Sequence, residues 1–124
     1  NRCYIDMPAL QTGISATRIL TVQGDVLYSP TGHAEHSVLS SPAMIMEMEL
    51  ACVDALDGHL SEKEASVGFH VDVKHIAPAQ LNKQVETTAT LINISGRKLK
   101  FEVITLCGDI LIGAGSHRRA IIHL

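Results

Sequence analysis

The chain has 124 residues, of which 46% are hydrophobic and 19% charged, and its net charge is -3 at pH 7. A mildly acidic chain with two Phe, two Tyr and no basic run is a poor candidate for binding nucleic acid. No segment approaches the roughly 18 uninterrupted apolar residues of a membrane span, so a membrane partner is not expected either. The length suits one domain with a single core, and we predict that residues 1–124 form it.

The cysteines indicate the cellular compartment. Cys3, Cys52 and Cys107 are odd in number and lack metal-ligand spacing. Reduced thiols are therefore favoured over disulfides. No cationic start followed by an apolar stretch is present, so no signal peptide is expected. These features predict a cytoplasmic protein.

The first half of the chain is predicted to contain one strand, an irregular segment and one helix. Residues 14–22 are rich in β-branched side chains and predict a strand. Residues 24–40 are irregular, and residues 41–56 form an apolar run of about four helical turns. Ser41 is predicted to cap this helix, with Pro42 at its first position and Gly58 just beyond its end.

The charges on the predicted helix fall on two faces. At about 100° per residue, Glu47 and Asp54 lie within about 20° of each other and define the solvated edge. Glu49 lies about 200° from Glu47, on the apolar face. A buried carboxylate needs a hydrogen-bonding partner or a raised pKa. Three interpretations of Glu49 stay open here, namely solvent exposure, pairing with a basic side chain, and a functional role.

The second half of the chain has the period-two pattern of strands, which are predicted over residues 65–76, 84–95, 98–107 and 110–124. The apolar face of the first of these, which includes Val67 and Val71, ends in His75. His117 and His123 are assigned to a solvated face of the last strand. Gly113 and Gly115 predict a bulge or the close approach of another group.

One strand, a long apolar helix and four further strands predict an α+β fold. A helix buried nearly all round needs a sheet that wraps it. An antiparallel sheet of about five strands around one long central helix, the hotdog arrangement, is the simplest solution. Such a sheet leaves an edge free, so a homodimer joined edge to edge is expected, either alone or paired into a tetramer.

Three polar groups then become candidates for chemistry. A serine at a helix start, such as Ser41, is more often a helix cap than a catalyst. A histidine on an apolar strand face, such as His75, is more often a core residue than a catalyst. Together with Glu49, however, they supply a hydroxyl, an imidazole and a carboxylate, the groups needed for acyl transfer to water.

The motifs around these residues resemble the fluoroacetyl-CoA thioesterase family of hotdog proteins. They are Ser-Pro-Ala at 41–43, Glu-Leu-Ala-Cys-Val at 49–53, Gly68 seven residues before His75, and the closing Gly-Ala-Gly-Ser-His-Arg-Arg-Ala-Ile-Ile-His-Leu at 113–124. The resemblance runs from about residue 38 to residue 124. It implies hydrolysis of an acyl-CoA thioester without a metal or other cofactor.

The resemblance also implies roles for individual residues. The family's catalytic Thr, Glu and His fall on Ser41, Glu49 and His75, and its substrate-contacting glycine and arginine fall on Gly68 and Arg119. Two departures stand out. Ser41 replaces the threonine, and the loop before the helix has no Phe to form the family's aromatic lid. The hydrolytic residues are therefore present, whereas selectivity for fluoroacetyl-CoA is not implied.

Three other readings remain open at this stage. The first is a hotdog module that binds an acyl-CoA or a small carboxylate without turning it over. The second is a hotdog enoyl-CoA hydratase or dehydratase. A metal site is the third alternative, because a polar loop and a strand carry possible ligands. These are His33, Glu35, His36, His70 and Asp72.

Overall fold

A computed structural model describes residues 9–124, so Cys3 lies outside the described part of the chain. Its single α-helix, α1, spans Ser41–Leu56. The strands are β1 (Ser15–Thr21), β2 (Leu27–Tyr28), β3 (Val38–Leu39), β4 (Glu64–His75), β5 (Gln84–Ser95), β6 (Lys98–Cys107) and β7 (Ile110–His123). Short 3-10 turns at Gly24–Val26 and Ala34–His36 separate β1, β2 and β3. Within residues 9–124, no helix combines the length and apolar character needed to cross a membrane.

The main sheet is antiparallel throughout and has the strand order β1-β5-β6-β7-β4. Strands β5, β6 and β7 are consecutive hairpin partners, whereas β1 and β4 form the two edges. The helix lies mainly over β1 and β5. One main helix packed on a five-stranded antiparallel sheet confirms the predicted α+β hotdog architecture.

The start of α1 differs from the prediction by one residue. Ser40, not Ser41, is the N-cap, and its Oγ accepts a hydrogen bond of 3.2 Å from the N–H of Ala43. Ser41 is the first residue of the helix, and Pro42 is the second. Two consecutive serines offered the same capping chemistry, and the sequence pattern did not distinguish them. The hydroxyl of Ser41 therefore does not cap the helix and is available to another partner.

The core lies between α1 and the concave face of the sheet. Met44, Met48, Ala51 and Cys52 point from the helix into it and are almost completely buried. Phe101 meets them from the central strand β6. Burying each large side chain of this kind contributes roughly 1.5–3 kcal/mol, which holds the helix against the sheet.

The predicted apolar face of β4 is not a core face. Alternation put Val67, Phe69 and Val71 on one apolar face of a half-buried strand, but each leaves about half of its surface exposed. The reason is that β4 is an edge strand of the sheet, and that its register shifts between Gly68 and His70, which breaks the alternation of its two faces. Period two therefore identified the strand but not the burial of its face.

The two glycines of β7 sit where other groups approach closely, as predicted. A Cβ on Gly113 would collide with the Met44 thioether, and a Cβ on Gly115 would collide with the Asp72 carbonyl oxygen. A larger residue at Gly113 would displace the Met44 side chain and press on the β4 backbone, and one at Gly115 would push the β4 backbone away.

Candidate active site

Ser41 and His75 meet at the N-terminus of α1. The Ser41 Oγ lies 2.7 Å from the His75 Nδ1, which is hydrogen-bonding distance. Because β4 ends at His75 and α1 begins at Ser41, the two element ends bring the groups together. The other ring nitrogen of His75, Nε2, is shielded from solvent and has no hydrogen-bond partner in residues 9–124. This pair is therefore a hydroxyl–imidazole unit with one ring nitrogen still available.

A cavity of about 290 Å³ opens beside this pair. Besides Ser41 and His75, its lining includes Tyr28 from the segment before the helix. That segment has no Phe, but it carries Tyr28, a residue that is more than half exposed and was not among the predicted site residues. Only the fold shows that an aromatic side chain reaches the cavity, because β2 and β3 pair and carry Tyr28 towards the start of α1.

The backbone at the same helix end leaves one donor free. Pro42 has no N–H, and the N–H of Ala43 donates to Ser40 Oγ. The N–H of Met44 makes the first intrahelical bond, to the Ser40 carbonyl oxygen. Within residues 9–124 the N–H of Ser41 has no hydrogen-bond partner, and it lies at the positive end of the helix dipole beside the cavity.

Glu49 belongs to a second cluster, farther along α1. Its Oε2 accepts a hydrogen bond of 3.1 Å from Nη1 of Arg119, and the Glu49 side chain remains 39% exposed. Arg119 is buried on β7, and Ser66 on β4 fixes it through two further hydrogen bonds of 2.9 Å, to Oγ and to the carbonyl oxygen. Of the interpretations left open above, pairing with a basic side chain and partial exposure both apply.

His117 joins this cluster, contrary to its predicted place on a solvated strand face. It is 1% exposed, and its Nε2 lies 3.6 Å from Glu49 Oε2. Burial and the neighbouring Arg119 guanidinium lower the pKa of His117, against the opposing effect of Glu49. The ring is therefore neutral at pH 7. His117 and Arg119 are two residues apart on one strand, so alternation puts them on the same face. This spacing is the sequence signal that could have identified His117 as a neighbour of Arg119.

Gly68 packs directly against the same three side chains. A Cβ built on it would lie 2.7 Å from Glu49 Oε2, 2.8 Å from His117 Cε1 and 3.1 Å from Arg119 Nη1. Contacts under 3.0 Å do not occur for real Cβ atoms without movement of a neighbour. Gly68 is therefore a glycine because the carboxylate cluster occupies the space of a side chain.

The two clusters are separate within one chain. Ser41 and Glu49 are eight residues apart on α1, which is about 12 Å along the helix axis. The fold thus brings together Ser41 with His75, and Glu49 with Gly68 and Arg119. It does not bring all three predicted catalytic groups into mutual contact in a single chain.

Glu47 was predicted to lie on the solvated edge of the helix, and this is wrong. It is buried, and its Oε1 lies 3.2 Å from Nε of Arg18 on β1. Arg18 also donates to Asp54 at 3.0 Å. The helical angle was correct, but β1 packs along that edge and supplies a cation.

The proposed metal-ligand cluster does not form among the described residues. His33 and His36 stack edge to face at 5.7 Å, but in residues 9–124 no three His, Cys, Asp or Glu side chains converge on one point. Cys52 and Cys107 are free thiols, and burial raises the pKa of Cys52 to about 12. The Cys52 thiol is therefore not a thiolate ligand at neutral pH.

Comparison with known sequences gives a consistent picture. The profile of the family FlK, described as fluoroacetyl-CoA-specific thioesterase, matches residues 22–124. The fluoroacetyl-CoA thioesterase of Streptantibioticus cattleyicolor is 38% identical over 87 residues, which are 70% of this chain and 63% of that protein. The chain thus aligns with less than two thirds of the length of this curated relative.

Solved structures agree with the sequence matches. The fluoroacetyl-CoA thioesterase FlK superposes with a TM-score of 0.83 and 31% identity, over 94% of this chain and 91% of that one. Its threonine-to-serine variant in complex with acetyl-CoA gives 0.81 and 32%, over 93% and 91%. Its phenylalanine-to-alanine variant with fluoroacetate and CoA gives 0.81 and 32%, over 93% and 97%. The chain belongs to the fluoroacetyl-CoA-specific thioesterase family.

Proposed function

We propose that this protein is an acyl-CoA thioesterase that hydrolyses a small acyl-CoA thioester to a carboxylate and CoA, using Ser41, Glu49 and His75. The observation that carries the proposal is the 2.7 Å contact between Ser41 and His75 at the rim of the cavity. Family membership supports the reaction type, since the relatives are named as thioesterases.

A homodimer joined along β4 is part of the proposal. This strand is a 12-residue edge with exposed Val67 and Val71, and such an edge invites pairing with a second copy. The exposed side of α1 supports the same contact, because Met46 and Val53 flank Glu49 there and each leaves over 40% of its surface exposed. A second copy would cover both surfaces at once.

Two-fold symmetry explains why the clusters are separate in one chain. When two copies of β4 pair antiparallel about an axis between Val71 and Asp72, Gly68 of one subunit lies opposite His75 of the partner subunit. Gly68 lies against Glu49, and His75 lies against Ser41. Each proposed site therefore takes its carboxylate from one subunit and its hydroxyl–imidazole pair from the other.

The chemistry follows from these positions. The thioester oxygen accepts hydrogen bonds from the backbone N–H groups of Ser41 and Gly68. These two hydrogen bonds stabilise the negative charge that develops on the oxygen. Glu49 removes a proton from water, and the hydroxide adds to the carbonyl carbon. The carbon–sulfur bond then breaks, and the protonated Ser41–His75 pair gives its proton, through the Ser41 hydroxyl, to the departing thiolate. Transfer of a proton from Glu49 back to His75 restores the starting state.

An alternative first step has Glu49 attack the thioester directly and form an anhydride, which water then opens. A single turnover in water labelled with ¹⁸O distinguishes the two routes. Label incorporated into the Glu49 carboxylate indicates the anhydride, whereas label confined to the product acid indicates activated water.

The cavity supports a short acyl group. At about 290 Å³ it is at the lower end of small-molecule sites, and it is lined by Tyr28, Leu39 and Ile76 besides the polar pair. Fluoroacetyl-CoA and acetyl-CoA, which the names of the relatives mention, are both of this size class. They are the first substrates to test.

The decisive experiment is a thiol-release assay over a panel of acyl-CoAs, starting with acetyl-CoA and fluoroacetyl-CoA and lengthening the chain. We expect turnover that declines as the acyl group grows. Binding without thiol release from any member would support the alternative, a module that binds acyl-CoA without turnover. Formation or loss of the enoyl absorbance would instead support a hydratase or dehydratase.

Subunit mixing tests the shared site. His75→Asn and Glu49→Gln variants are each expected to be nearly inactive, but a mixed dimer contains one site with both intact groups. Co-refolding the two variants should therefore restore up to about a quarter of wild-type activity, given half mixed dimers with one functional site of two. No recovery in a demonstrated mixed dimer would contradict completion of the site across subunits.

The remaining parts of the proposal concern organisation and location. We take residues 1–124 as a single hotdog domain that needs no cofactor. The free thiols of Cys52 and Cys107 agree with a reducing, cytoplasmic environment.

A further inference from the structure

One buried side chain has no role in the chemistry described so far. His117 is 1% exposed, and both of its ring nitrogens lack a hydrogen-bond partner within residues 9–124. A buried polar group without a partner is destabilising. The polar groups around His117 therefore indicate which partner its ring nitrogens could have.

The Nε2 atom of His117 points at the Glu49 carboxylate. It lies 3.6 Å from Oε2, the same oxygen that Arg119 holds at 3.1 Å. The hydrogen bonds of the described residues do not involve the second oxygen, Oε1. One hydrogen bond and one neighbouring ring nitrogen at Oε2 leave Oε1 unpaired within residues 9–124.

We infer that His117 is a positioning residue that, together with Arg119, holds Oε2 of Glu49 and leaves Oε1 as the oxygen that acts on water or on the thioester. This inference rests on the proposed role of Glu49 as the reacting carboxylate. Gly68 completes the arrangement, since its missing side chain lets the carboxylate and the His117 ring lie side by side.

A neutral imidazole suits this task. The charged or titratable groups around His117 are Glu49 on α1, Arg119 on β7 and His70 on β4. Arg119 already supplies one positive charge to Oε2, and a second would reduce the basicity of the carboxylate. The uncharged ring carries an Nε2–H that donates to Oε2 once the 3.6 Å separation closes to hydrogen-bonding distance, and it then orients Glu49 without that loss.

Two substitutions separate positioning from packing. His117→Phe keeps a ring of similar shape but removes the donor, and His117→Gln restores a donor on an amide. We expect kcat for acetyl-CoA hydrolysis to fall about 10- to 100-fold in His117→Phe with KM nearly unchanged, and to recover substantially in His117→Gln. His123→Gln, at the exposed end of the same strand, is the matched control and should keep wild-type kcat.

The inference is overturned if both His117 variants lose kcat equally, in step with their loss of thermal stability. That result would mean that the ring only fills space.

A spectroscopic measurement tests the contact without any turnover. In protein labelled with ¹⁵N-histidine, His117 should be the Nε2–H tautomer near pH 7, and its Nε2 resonance should shift in Glu49→Gln. The other tautomer, or a resonance that does not respond to Glu49→Gln, overturns the inference. If the wild type hydrolyses no acyl-CoA, the proposed function fails, yet this spectrum still decides whether His117 holds Glu49.

Discussion

Two carboxylates lie two residues apart on α1, and arginines from different strands of the sheet meet them. Glu47 pairs with Arg18 on the edge strand β1, and Glu49 pairs with Arg119 on β7. The first pair engages both oxygens, since Arg18 reaches Oε1 at 3.2 Å and Oε2 at 3.5 Å. The second engages only Oε2. Both ion pairs therefore join a glutamate to an arginine, but only the Glu49 pair leaves one carboxylate oxygen without a hydrogen bond from the described residues.

The difference shows what separates a structural carboxylate from a candidate catalyst. Glu47 is covered and its partner is shared with Asp54, so this group fastens the helix to β1. Glu49 keeps one oxygen free on a partly open face and is oriented by buried groups that solvent does not reach. Preorganised orientation together with one free oxygen is what a general base requires.

The largest expected effect comes from removing each carboxylate's charge in turn. Glu49→Gln should lower kcat by about 10²- to 10⁴-fold, the usual contribution of a general base, and should retain the fold. Glu47→Gln should keep kcat and lower stability by about 1–3 kcal/mol, because Arg18 loses its buried partner. Thiol release and urea unfolding measure the two effects.

The comparison fails if the two variants behave alike. Full activity in Glu49→Gln would remove Glu49 from the mechanism, and loss of activity without loss of stability in Glu47→Gln would give Glu47 a role that the geometry does not support.

Gly68→Ala should disturb only the second pair. The new methyl group would lie 2.7 Å from Glu49 Oε2 and 2.8 Å from His117, so the carboxylate must move. We expect kcat to fall about 10- to 100-fold, since small displacements of a reacting group have effects of that size, and stability to fall by about 1–3 kcal/mol.

A double-mutant cycle checks the cause of that stability loss. Truncating the side chain in Glu49→Ala should relieve much of the cost of Gly68→Ala, because the two positions collide. Strictly additive stabilities would show that the methyl group clashes with something else.

Much of the fold was accessible from the sequence because it rests on local patterns. The helix bounds and the β5 and β6 bounds match the predictions, since turns such as Ser95-Gly96 and Gly108-Asp109 end strands through local chemistry. The face of β4 was mispredicted, because alternation does not report whether a strand is central or at an edge. That depends on pairing between distant segments, which one sequence does not encode locally.

The site was accessible only in part, for a related reason. Helical angles placed Glu47 and Glu49 on opposite faces correctly. They did not show that β1 would cover Glu47 with Arg18, while the side of α1 bearing Glu49 stays half open. His117 was missed because a histidine in a polar stretch resembles a surface residue until the strand register turns it inward. Contacts between residues far apart in the sequence decided both outcomes: Arg18 and Glu47 are 29 residues apart, and Glu49 and Arg119 are 70 apart.

A smaller contrast is expected when each arginine becomes lysine. Arg119 donates three hydrogen bonds from three nitrogens to Ser66 and Glu49, a geometry that one ammonium does not reproduce. Arg119→Lys should lower kcat/KM about tenfold and leave the Ser66 carbonyl oxygen without a donor. Arg18→Lys, at a partly exposed site, should change stability by about 1 kcal/mol or less and leave kcat/KM as it was. Equal kinetic effects of the two substitutions would erase the distinction between the pairs.

The smallest predicted effect is a pH dependence confined to the Glu49 side, where an imidazole lies next to the carboxylate. Burial and Arg119 lower the pKa of His117 in the folded state below the unfolded value of about 6.5. Between those two pKa values the unfolded chain binds more protons, so this histidine's contribution to stability is lost as the pH falls below about 6.5. The slope is at most about 1.4 kcal/mol per pH unit. Urea unfolding from pH 5 to pH 8 should therefore show that the free energy of unfolding falls more steeply towards acid in the wild type than in His117→Phe. Glu47→Gln is the control. It should keep the wild-type slope in that window, because the Arg18 pair includes no imidazole. Parallel curves for the wild type and His117→Phe would mean that His117 titrates alike in both states, and would contradict its buried, neutral place beside Glu49.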